Sequence, residues 1–96
     1  MNQETSNDWR LRQRAEVEGG EVAFDVFGQG PPVVLVHGTP TWSYLWRNVV
    51  PVLAEQFTVY VFDLFGYGDS KPKAQDVSIG AQSRLLTGLI ERWGLE

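Results

Sequence analysis

Two short apolar runs separated by a helical stretch constrain this chain more than any other feature. Residues 33–36 read VVLV and residues 57–63 read FTVYVFD. A continuous β-branched run suits a strand buried on both faces, as in a parallel sheet, and the aromatic and β-branched content of the second run fits a strand equally well. Between them, residues 43–56 carry Leu45, Val49, Val52 and Leu53 at near-helical spacing, and Pro51 is expected to interrupt or kink that helix. Strand, helix, strand implies a right-handed crossover and a parallel pair.

The flanks extend this plan. Over residues 9–17, Trp9, Leu11, Ala15 and Val17 share one parity, and Arg10, Arg12, Arg14 and Glu16 take the other. This is the pattern of a half-buried strand. Gly19 and Gly20 read as a two-residue turn, and alternation resumes at Val22, Phe24 and Val26, which together predict an antiparallel hairpin. Residues 28–32 (GQGPP) break the chain before the first apolar run. Downstream, Ser78 is placed as an N-cap, Leu85, Leu86, Leu89, Ile90 and Trp93 form one stripe, and Gly94 fits a helix stop. The expected order is β-β-β-α-β-α, an α/β fold: a β-hairpin followed by β-α-β-α.

Composition narrows the function classes. The chain has 96 residues and a formal net charge of -4, so nucleic acid is not an expected partner. It has no cysteine, which removes disulfides, thiolate zinc sites and a thiol nucleophile, and its single histidine argues against a metal centre. No metal and no cofactor are expected. No apolar run approaches the roughly 20 residues of a membrane span, and residues 1–8 (MNQETSND) lack the basic start and apolar stretch of a signal peptide. A cytoplasmic protein without membrane attachment is the expectation, with residues 1–8 a disordered tail and residues 9–96 one incomplete domain.

Two junctions carry the chemistry. The first apolar run ends in His37, Gly38, Thr39 and Pro40. His37 is the one imidazole available to a nucleophilic triad. Its place at the end of a buried strand suits a structural, hydrogen-bonded histidine better than a proton shuttle. Gly38 permits close backbone approaches, Pro40 stiffens the next step, and a stiff loop here can hold the Thr39 N–H toward a cavity as an oxyanion donor. On spacing alone, an ordinary strand-to-helix turn also accounts for it. The second junction places Asp63, Gly66, Gly68 and Ser70 just beyond a strand. It lacks the third glycine of a dinucleotide fingerprint. Residues 68–72 (GDSKP) nearly spell a nucleophile elbow, but Pro72 replaces the final glycine and no helix follows, so Ser70 reads as a turn or capping residue.

Together, HGTPTWSYLWRNVVPVL and YVFDLFGYGDSKP resemble the α/β-hydrolase family, and within it the haloalkane dehalogenase and epoxide hydrolase branch. The resemblance runs over residues 9–96 and implies the N-terminal part of that family's sheet, without its fifth strand onward and without a cap domain. It implies that the Thr39 N–H is one of two oxyanion donors, that His37, Gly38 and Pro40 shape its turn, and that Trp42 and Tyr44 stand near the pocket entrance. Thr39 occupies a place where many haloalkane dehalogenases have Asn or Glu, so epoxide and ester-type hydrolases stay open beside a dehalogenase. The nucleophile, triad acid and triad histidine would lie beyond this chain, which alone would then be inactive, and a small-molecule substrate would belong to the full-length parent. Residues 33–36 would become a bare hydrophobic edge, through which the chain is expected to self-associate. The competing reading is a non-catalytic interaction module pairing through that edge.

Overall fold

The computed structural model describes residues 9–38, 41–73 and 76–95. The tail expected over residues 1–8, together with Thr39 and Pro40, lies outside the described residues. The elements are strand β1 (Gln13–Val17), strand β2 (Gly20–Phe27), strand β3 (Pro32–Leu35), a 3-10 turn (Ser43–Trp46), helix α1 (Val50–Leu53), strand β4 (Thr58–Phe62), the two-residue strand β5 (Lys71–Pro72) and helix α2 (Ile79–Trp93). The main sheet runs β1-β2-β4-β3, with β5 also paired to β2. β1 and β4 are antiparallel to β2, and β3 is parallel to β4. The order is the expected hairpin followed by β-α-β-α, with β5 as a short addition. Among the described residues, no helix is long and apolar enough to cross a membrane.

The period-two pattern of β2 and β4 divides the core between the two faces. On one face Val22, Phe24 and Phe62 meet Ala81, Leu85 and Leu89 of α2. On the other, Ala23, Val59 and Val61 meet Leu11 and Val50. α2 forms as its sequence predicts: the Ser78 side chain accepts from the Ala81 N–H, and Gly94 closes the helix in the left-handed conformation.

Three local expectations are revised. The strand expected from residue 9 begins at Gln13. The Asp25 carboxylate accepts from the Arg12 N–H at 3.2 Å and from the Gln13 side chain at 3.2 Å. A side chain thus takes the place of the ladder, and the chain leaves its plane. Leu11 and Ala15 share parity but serve opposite cores. The helix expected over residues 43–56 divides into the 3-10 turn and α1. The break falls before Pro51 rather than at it, because Pro51 lies in the first turn of α1, where its missing N–H is not needed. The hairpin turn is Glu18-Gly19, since Gly20 already pairs with Val17. Gly20 answers a different demand: β5 crosses so closely that a Cβ there would lie 2.4 Å from the Lys71 carbonyl oxygen.

Candidate functional site

The C-terminal ends of the parallel strands β3 and β4 lie side by side, and their two loops are tied together there. His37 follows β3 and is 2% exposed. Its Nε2 accepts a hydrogen bond from the Leu64 N–H at 2.9 Å, and its Nδ1 lies 2.9 Å from the Gly38 carbonyl oxygen. A backbone N–H can only donate, so Nε2 must offer a lone pair and Nδ1 carries the proton to Gly38. The Tyr67 ring meets the imidazole edge-on, with centroids 5.9 Å apart. Both ring nitrogens are therefore engaged within the fold.

The Gly38 carbonyl also accepts from the Thr41 N–H at 3.0 Å and the Thr41 hydroxyl at 2.5 Å. The geometry of the Thr39 N–H, the expected oxyanion donor, falls outside the described residues, as does that of Pro40. Gly38 itself is exposed, and a Cβ built on it meets no described atom within 4 Å. The close approach expected at Gly38 is thus not made to any described residue. Trp42 and Tyr44 stack, with centroids 5.4 Å apart and planes at 14°, and the Arg47 guanidinium lies 3.9 Å from the centre of the Tyr44 ring. Ser43 starts the 3-10 turn and is fully buried, its hydroxyl accepting from the Trp9 indole N–H at 3.0 Å.

Beyond β4, Asp63 is 1% exposed and accepts through both carboxylate oxygens: Oδ1 from the Ser43 N–H at 2.8 Å, Oδ2 from the Asp69 N–H at 3.2 Å. Ser70 is 4% exposed; its hydroxyl accepts from the Ala23 N–H at 2.8 Å and donates to the Asp63 carbonyl at 2.5 Å. With donor and acceptor both committed to backbone, Ser70 is a structural residue in a near-elbow sequence, and its hydroxyl is not hydrogen-bonded to His37. The sequence placed Asp63 at this junction without giving it a task. The available signal was a carboxylate at a strand end followed by two closely spaced glycines.

A cavity of about 420 Å³ lies between β1 and α2, lined by Glu16, Arg84 and Glu91 among others, and another of about 360 Å³ is lined by Trp9, Phe27, Arg47 and Val50 among others. Neither is lined by His37, Gly38, Trp42 or Tyr44. Among the described residues no three His, Asp or Glu side chains converge on a metal-sized site. What the described part of the junction offers chemically is a pair of ties between the two loops, at His37 and at Ser43, and an imidazole with both nitrogens engaged.

Residues 31–95 match the family model described as alpha/beta hydrolase fold. The chain is 50% identical over 58 residues to the soluble epoxide hydrolase of Corynebacterium sp. strain C12, a stretch that is 60% of this chain and 20% of that protein. It is 32% identical over 78 residues to haloalkane dehalogenase 2 of Mycobacterium tuberculosis, covering 80% of this chain and 27% of that one. A solved structure of an alpha/beta hydrolase fold protein from Burkholderia ambifaria superposes with a TM-score of 0.85 at 42% identity, covering 92% of this chain and 33% of the other. The chain thus spans between 20% and 33% of the length of these relatives.

Proposed function

Because this chain belongs to the α/β-hydrolase fold family, in the branch of the epoxide hydrolases and haloalkane dehalogenases, we propose that it forms the N-terminal part of a cofactor-independent hydrolase of small molecules. In this reading the Thr39 N–H supplies one oxyanion donor, His37, Gly38 and Pro40 fix its turn, and Trp42 and Tyr44 stand at the mouth of the pocket. The observation that carries it is the engagement of both His37 nitrogens, by Leu64 and by Gly38. The chain's only imidazole then braces a loop and is withheld from proton transfer. The nucleophile, its acid and a free imidazole come from residues outside this chain. The reaction passes through a covalent ester on the nucleophile, released by water. The 50% identical stretch shared with a soluble epoxide hydrolase favours an epoxide as substrate.

The test is turnover of p-nitrophenyl acetate, an aryl epoxide and a bromoalkane by the 96-residue chain alone and by any longer chain that contains it. The reading expects no turnover by the short chain and saturable turnover by the longer one. Thr39→Pro, which removes the donor, should lower kcat in the longer chain by about 10²–10³-fold. Saturable hydrolysis by the short chain alone would overturn the reading.

A second reading has its own observation. Among the described residues β3 pairs with β4 alone, and Val36, the residue after β3, is 46% exposed. An apolar strand edge is a template for pairing, so an interaction module that associates through β3 is the alternative if no longer chain hydrolyses anything.

A further inference from the structure

We infer that Asp63 is a positioning residue: its carboxylate, with the Leu64 N–H beside it, clamps both ends of the loop 37–43 that the hydrolase reading assigns to oxyanion binding. The inference rests on that reading for its chemistry, and on the following geometry for the clamp.

Leu64 holds the start of the loop through the 2.9 Å bond to His37 Nε2, and Asp63 holds its end through the 2.8 Å bond from the Ser43 N–H. Two consecutive residues at the end of β4 thus fix two positions six residues apart on the neighbouring strand's loop. Preorganised N–H donors need a fixed frame, and these two bonds fix that frame at His37 and at Ser43. The Ser43 bond has a further role. The 3-10 turn over Ser43–Trp46 has no side-chain cap from Trp42, and Asp63 supplies an acceptor from the end of the neighbouring strand. The carboxylate makes no ion pair among the described residues, so its burial is offset by charge-assisted bonds from N–H groups.

Gly68 is shaped to this carboxylate. Its φ is +55°, and a Cβ there would fall 2.2 Å from Asp63 Oδ2. The loop after β4 therefore wraps onto Asp63 as closely as backbone allows, and the Asp69 N–H caps Oδ2 at 3.2 Å. A carboxylate kept only to end a strand would not require a glycine pressed against it.

The test is site-resolved amide hydrogen exchange by NMR on the 96-residue chain and three variants. Asp63→Ala should speed exchange at Ser43, whose N–H donates to the carboxylate, by about tenfold or more, the loss expected when a hydrogen bond to a charged acceptor is removed, and should speed exchange at Thr41 as well. Val59 and Val61 in β4 should keep their rates. Asp63→Asn separates a clamp from a generic burial effect. Its carbonyl oxygen should stay with Ser43, the shorter and more buried bond, so Ser43 stays protected while Asp69, facing the amide NH2, exchanges faster. Gly68→Ala leaves Asp63 in place but pushes its carboxylate away, and should loosen Ser43 and Asp69 together; with Asp63→Asn it decides the matter if Asp63→Ala does not fold. Equal acceleration at every amide, loss of Ser43 protection in the Asn variant as complete as in the Ala variant, or no change at Ser43 would each overturn the inference. Exchange is read without any substrate, so a failed clamp and a failed hydrolase assignment give different results.

Discussion

At Ser70 one hydroxyl satisfies two buried backbone groups, the Ala23 N–H and the Asp63 carbonyl. Ser70→Ala leaves both unpaired and should cost about 2–4 kcal/mol. Thermal or urea unfolding checks this, and a nucleophilic Ser70 would instead lose activity with stability intact. Asp76 gives a second prediction. The Ser78 N–H donates to its carboxylate at 3.0 Å, and this bond, followed by the Ser78 hydroxyl and the Arg84 charge, holds its pKa below the ordinary 3.8. A carboxyl depressed in the folded state adds stability at pH above its unfolded value and loses it as pH falls through the folded one. An NMR titration of the Asp76 carboxyl carbon should therefore show a midpoint below 3.8, and Asp76→Asn should remove the acid-dependent loss of Ser78 amide protection. Much of this scale was legible in advance. The mismatch of GDSKP with an elbow correctly demoted Ser70. The task of Asp63 was not legible, because it depends on the Ser43 N–H twenty residues away, which no local pattern reports.

Among the elements, α2 was readable from end to end because its cap, apolar stripe and terminal glycine agree. Leu85 and Leu89 are fully buried against the sheet, so Leu85→Ala should cost about 2–5 kcal/mol. Thr87→Ala, on the exposed side, should change stability by less than about 0.5 kcal/mol; chemical denaturation of both variants compares them directly. The segment between β3 and β4 was less readable. Its apolar spacing is nearly helical, but Pro51 can occupy only a first turn, and the preceding residues close with 3-10 bonds such as Val49 N–H to the Trp46 carbonyl. The start of β1 was lost for a related reason. Parity predicts a strand from Trp9, and the Asp25 side chain intercepts the ladder at Arg12.

At the scale of the whole molecule, the sheet order puts the most apolar strand sequence at an edge. Pro32–Leu35 carries no charge and, among the described residues, pairs on one side only. Natural edge strands are blunted by charges, prolines, bulges, shortness or cover; β3 is four residues long and opens on Pro32, but it carries no charge. Sedimentation velocity should show association that grows with concentration, and Val36→Lys, at the exposed position just after β3, should shift the population toward monomer without lowering the melting temperature. A concentration-independent cooperative melt of a monomer would contradict this. The hairpin and the parallel pair were both legible from periodicity, and the family was legible from two motifs at the right spacing. The contact between those motifs was not, since it is made by a ring nitrogen and a backbone N–H 27 residues apart.

The account turns on His37 being a brace between the two loops. The most direct measurement is the ¹⁵N NMR spectrum of the His37 ring, with its scalar coupling across the hydrogen bond to the Leu64 amide. The account predicts a proton on Nδ1, none on Nε2, and a resolved coupling between Nε2 and the Leu64 nitrogen. A proton on Nε2, or a ring that exchanges freely with solvent and shows no coupling, would contradict it and return His37 to the list of candidate bases.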